Sequence, residues 1–240
     1  MTMSEEIRLF SARRSYEYAV DGLRMSALST PHAMHAIQAF FNFQQFGAQI
    51  PPATFGAPLP TTTSGLVFQN GTALVDDQVV PIRALYVEIA RIVIEISSGS
   101  GMLDPIFSML RAVVENIPFA IDSPVIPEPI GVRDWSAMLA KFPAPLDRVF
   151  IPEIRELLKD GFGSDLEPGV IAAPLILVHS VPSDEGYVGA VSPGLELAVR
   201  AGSNPSDMIY VSAAFLDSSA HEQYVKRLAA ALAASPASAD

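Results

Sequence analysis

There is no cysteine in this sequence. Disulfides, thiol nucleophiles and thiolate metal sites are therefore excluded together. Basic residues are few: 15 lysines and arginines stand against 26 aspartates and glutamates, a formal charge of −11. A nucleic-acid ligand needs cations to displace counterions from its phosphates. No stretch holds more than two adjacent bases, as at Arg13-Arg14, so DNA and RNA are not expected partners. An anionic membrane surface is disfavoured on the same ground, and solubility is sufficient reason for the acidity. Long apolar runs are missing too. The longest, GVIAAPLILVHSV from Gly169, has 13 residues, where a spanning helix needs about 20. The start, MTMSEEIRLF, has neither the basic nor the apolar region of a secretory signal, and the expectation is a cytoplasmic protein. Twelve arginines to three lysines, with abundant alanine, point to a GC-rich bacterial genome.

Apolar residues make up half of the chain and charged ones 17%, against about 25% charged in an average globular protein. A chain of 240 residues is long enough for a core without staples. The thin charge implies apolar surface covered by another subunit or a protein partner.

The chain reads as α+β: two β-meander-plus-helix units, an N-terminal aromatic helix and a proline-rich connector. Residues 1–64 hold a strand-like stretch at 15–28 with a turn at Asp21-Gly22. A helix then starts at Thr30-Pro31, where threonine caps and proline suits the first helical position. That helix, spanning 32–46, carries Phe40, Phe41, Phe43 and Phe46 around more than half its circumference, which calls for burial on more than one side. A Pro- and Thr-rich strap covers 47–64. The first β-rich unit, 65–117, has a hairpin signal at Asn70-Gly71 and a second turn at Asp76-Asp77. Strands follow on both sides of Ala90, with Ile92, Ile94 and Ile96 on one face, and then a helix over 102–117. Prolines break 118–168 into a connector with short helices around 134–141 and 152–160. The second β-rich unit, 169–240, has three strands and a helix over 219–234 capped by Asp217 or Ser218. The four parts are also compatible with one compact domain. Laid side by side, the strand-to-helix junctions match Ile106 with Tyr224, Leu110 with Leu228 and Val114 with Leu232, as an internal duplication would.

The first junction, IVIEISSGSGMLDPIFSML, places Ser100 between glycines. A nucleophile elbow needs Gly-x-Ser-x-Gly, but Ser98 and Met102 occupy the outer positions. Capping of the following helix by Ser98 or Ser100 is the plainer role. His32 and His35 lie three apart on a helix with no acidic residue to complete a metal site. No metal and no cofactor are expected. His179 ends a strand beside Asp184 and Glu185, where a site could form; a hydrogen-bonded histidine next to a solvated loop is the common alternative. His221 falls in the first turn of an exposed helix. The one tryptophan, Trp135, serves either to pack the connector or to anchor a partner.

These observations lead to a non-enzymatic binding or scaffold protein that self-assembles or takes a protein partner, with Phe40, Phe41, Phe43, Phe46 and Trp135 as its interface residues. The alternative is a small-molecule binder or hydrolase-like enzyme whose pocket lies near His179, using Asp184, Glu185 and Ser100.

Overall fold

The computed structural model describes residues 7–49, 65–119, 124–143, 175–179, 192–200 and 207–234. In chain order these form β1 (Ile7–Glu17), α1 (Met25–Leu28), α2 (Pro31–Phe40), β2 (Gln45–Gln49), β3 (Gly65–Val75), β4 (Gln78–Glu88) and β5 (Arg91–Ile96). There follow α3 (Leu103–Glu115), β6 (Gly131–Lys141), β7 (Leu175–His179), β8 (Ser192–Val199), β9 (Ile209–Ala214) and α4 (Ser218–Ala234). The class is α+β with antiparallel strand pairing. The chain divides into two compact units, Ser11–Asp134 and the combination of Met1–Phe10 with Trp135–Asp240.

In the Ser11–Asp134 unit the strand order is β2-β3-β4-β5-β1. One face of its central strands builds the core. Ile92, Ile94 and Ile96 of β5 sit opposite Tyr16, Arg14 and Ala12 of β1, and the three isoleucines are fully buried. They meet Leu103, Ile106, Leu110 and Val114 from one face of α3 and Ile37 from α2. Each such side chain contributes roughly 1.5–3 kcal/mol when removed from water. Tyr16 lies flat on Phe107, with ring centroids 3.7 Å apart.

Several local expectations hold here. The Thr30 side chain accepts from the Ala33 N–H at 3.3 Å, with Pro31 at the first helical position. The Gly22 N–H closes a turn on the Ala19 carbonyl. Asp76 and Asp77 adopt φ of 47° and 61° between the paired residues Val75 and Gln78, the conformation of a tight two-residue hairpin.

Other expectations are corrected. Asn70-Gly71 makes no hairpin: Asn70 takes the left-handed conformation, φ 55°, but β3 continues past it and keeps one register with β4 on either side, from Leu66 opposite Val87 to Val75 opposite Gln78. Glycine is needed there because a Cβ would lie 2.5 Å from the Phe43 ring and 2.8 Å from the Phe41 carbonyl oxygen. The aromatic helix expected over 32–46 stops at Phe40. Asn42 takes the left-handed conformation, φ 50°, and the chain leaves the helix to form β2 against β3. Neither Ser98 nor Ser100 caps α3; its start has no side-chain cap, and Ser100 opens a short 3₁₀ turn leading into it.

In the other unit the order is β6-β9-β8-β7. Residues 134–141, expected as a helix, lie in β6 instead. Their burial explains the misreading: Ser136, Ala137, Met138 and Ala140 are all buried, so both faces of the strand are covered and no alternation shows. The short helix expected around 152–160 lies outside the described residues. The Asp217 carboxylate accepts from the N–H groups of Ser219 and Ala220 at 2.9 and 3.0 Å, capping α4 as expected. Val225, Ala229 and Leu232 of α4 pack on Ala140, Leu197, Tyr210 and Ala214. Each unit thus contains a meander whose last strand runs into a helix, β3-β4-β5-α3 in one and β7-β8-β9-α4 in the other.

Candidate functional site

On the Ser11–Asp134 unit, α2, β2 and β3 carry no charged residue. After α2, the Gln38 side-chain amide donates to the Phe43 carbonyl at 3.3 Å, and the Thr72 N–H donates to the Phe41 carbonyl at 2.7 Å. These bonds turn the chain so that β2 pairs with β3 from Gln45 opposite Gln69 to Gln49 opposite Gly65. The turn sorts the four phenylalanines. Phe41 and Phe43 are 1% and 3% exposed, spent inside the unit's own core. Phe40 and Phe46 are 54% and 38% exposed. Phe46 stacks on buried Phe68 and meets the edge of the exposed His35 ring at 5.7 Å. Of the four, only Phe40 and Phe46 offer area to a partner. Trp135 is a half-buried residue of β6.

Three further large apolar residues of the same unit are exposed where chain turns meet. The Tyr18 N–H donates to the Ala90 carbonyl and the Ile130 N–H to the Glu17 carbonyl. These bonds gather three chain turns and leave Val20, Ile89 and Ile130 exposed.

The strongest acid–base geometry among the described residues was not legible as a site in the sequence. His221 is fully buried, not exposed, and holds a serine on each ring nitrogen. Ser136 Oγ lies 2.8 Å from Nδ1, and Ser212 Oγ lies 2.7 Å from Nε2. Ser136 also donates to the Leu216 carbonyl at 2.9 Å. Its single proton is thereby used, so it accepts from Nδ1–H, and the neutral ring accepts the Ser212 proton at Nε2. Burial holds the imidazole down to about 4 from its ordinary 6.5, consistent with this neutral tautomer. A hydroxyl donating to an imidazole is the arrangement of an activated nucleophile. Here Ser136, Ser212 and His221 are all 0% exposed, so the cluster fastens the first turn of α4 to β6 and β9. One signal pointed to it: His221 continues the buried stripe of Val225, Ala229 and Leu232 at helical spacing.

No protein-family model, curated protein or solved structure matches this chain.

A second polar cluster ties β1 to its neighbours in the Ser11–Asp134 unit. Arg14, with its side chain 13% exposed, makes a two-pronged pair with Asp134 at 2.7 and 3.0 Å and a third contact with Asp104 at 2.7 Å. The Tyr16 hydroxyl donates to the other Asp104 oxygen at 3.1 Å. Hydrogen bonding to Asp134 raises the guanidinium's proton affinity further, and burial pushes the Tyr16 phenol above its ordinary range. On the opposite face of β1, Arg13 pairs with Glu95 at 2.6 Å.

The remaining sequence candidates are placed as follows. Ser100 is 7% exposed in the Ser11–Asp134 unit. His179 is the last residue of β7, its backbone opposite Ser192. Asp184 and Glu185 lie outside the described residues. His32 and His35 both sit exposed on α2. Among the described residues no three histidines or carboxylates cluster as metal ligands would, and no helix is long and apolar enough to cross a membrane.

Proposed function

We propose that this chain is a non-enzymatic binding and scaffold protein that works through protein–protein contacts and assembles with copies of itself. The observation that carries the reading is the uncharged stretch of chain that holds α2, β2 and β3. Between Arg24 and Asp76 the chain runs for 51 residues without an aspartate, glutamate, lysine or arginine, although its formal charge is −11. α2, β2 and β3 all lie in this stretch, and Phe40 and Phe46 are its exposed aromatic rings among the described residues. Single exposed apolar residues are ordinary. Their placement at an outer strand, on elements without charged residues, is what protein interfaces favour at their centres.

The test is native mass spectrometry of the wild-type chain and of a Phe40→Asp, Phe46→Asp double variant. Both side chains are partly exposed but touch the buried rings of Phe41 and Phe68, so a thermal melt first establishes that the variant is folded, and a Phe40→Asp single variant is measured beside it. The expected result is a multiple of the chain mass for the wild type and the single-chain mass for the variant. A wild-type chain that stays single across the accessible concentration range refutes self-assembly, as does a variant that keeps the wild-type mass.

A further inference from the structure

We infer that β2 pairs antiparallel with β2 of a second copy, about a two-fold axis at Gly47. The inference rests on the self-assembly reading above and adds which atoms meet. β2 is the outermost strand of its unit, so one row of its backbone N–H and C=O groups faces away from β3 and can accept another strand. Gln45 and Phe46 are exposed, and a Cβ built on Gly47 meets nothing within 4 Å. Among the described residues no strand pairs with that row.

The sequence of the strand argues for the occupant. β2 reads QFGAQ. In an antiparallel pair centred on Gly47, Gln45 comes opposite Gln49 of the second copy, Phe46 opposite Ala48, and Gly47 opposite itself. By residue type the strand is thus complementary to itself, glutamine against glutamine and the large residue against a small one. Charge points the same way. Two copies of an acidic chain repel one another over most of their surfaces, and the 51-residue uncharged stretch is where they can meet without like charges opposed. Lysine and proline, which commonly guard an outer strand against pairing, are both missing from β2. A two-fold contact of this kind closes at two copies and does not propagate.

The absence of native cysteine makes the register directly testable. Single-cysteine variants are treated with a short bismaleimide under native conditions, and wild-type particle mass is measured in parallel. Gly47→Cys is expected to convert to a covalent pair. Gln45→Cys alone is not, because its two copies would be about 14 Å apart along the strands at ~3.4 Å per residue. An equimolar mixture of Gln45→Cys and Gln49→Cys is expected to yield the mixed pair. Val79→Cys, 68% exposed on the β3–β4 hairpin, gives the collisional background. If the wild type assembles but Gly47→Cys links no faster than Val79→Cys, strand pairing is overturned and the self-assembly reading stands. Linking of Gln45→Cys with itself, without linking at Gly47→Cys, overturns the register. A wild-type chain that remains single overturns both the pairing and the reading beneath it.

Discussion

His221 makes the stability of its unit depend on pH in a direction and amount that follow from its surroundings. Its ring is buried and neutral between Ser136 and Ser212, with burial holding its pKa at about 4 against the ordinary 6.5. The unfolded chain takes up a proton as pH falls through 6.5; the folded chain does not until about pH 4. Folding is therefore opposed progressively across that window, unaffected above it, and not opposed further below it. The gap, at about 1.4 kcal/mol per pH unit, amounts to about 3 kcal/mol. That is a large fraction of a domain stability of roughly 5–15 kcal/mol. The assay is urea unfolding of the wild type and of His221→Gln at several pH values between 7.5 and 4. Emission from Trp135, the one tryptophan and the neighbour of Ser136 in β6, reports on the unit. Glutamine removes the titration, so carboxylates common to both proteins cancel in the difference. The wild-type advantage should shrink by about 3 kcal/mol from pH 7 to pH 4. Parallel losses in the two proteins would refute the buried neutral imidazole.

Two further perturbations test the packing and the ion pairs of the Ser11–Asp134 unit. Gly71→Ala forces a methyl group against the Phe43 ring and the Phe41 carbonyl and should cost about 1–3 kcal/mol by overpacking; an unchanged thermal midpoint would show that the ring moves aside freely. Asp134→Ala removes the two-pronged partner of the mostly buried Arg14 and should cost about 2 kcal/mol or more. Asp104→Ala, whose carboxylate is 67% exposed, should cost under about 1 kcal/mol. Chemical denaturation that ranks these two in the opposite order would refute the assignment of Asp134 as the principal partner.

Features set by neighbours along the chain were readable from the residues alone. Thr30-Pro31 starts a helix and Asp217 caps one, because a cap is a bond between a side chain and an amide two or three residues on. Asp76-Asp77 turns a hairpin, and the alternation of Ile92, Ile94 and Ile96 marks the core-facing side of a strand, because turn chemistry and the pleat are local. Features decided by distant residues were not readable. Asn70-Gly71 has the composition of a hairpin turn, yet the Phe43 ring, 28 residues earlier in the chain, occupies the space its missing Cβ leaves. Phe41 and Phe43 looked like their exposed neighbours Phe40 and Phe46 until the left-handed turn at Asn42 aimed two rings inward. β6 passed for a helix because strands are recognised by one wet face, and this one has little. The partner of His221 at Nδ1, Ser136, lies 85 positions away. Composition and short-range pattern determined the class, the caps and the uncharged stretch. Only the tertiary structure decided which apolar residues remain outside and which polar ones are sealed in, since burial is set by contacts between residues that the chain itself keeps far apart.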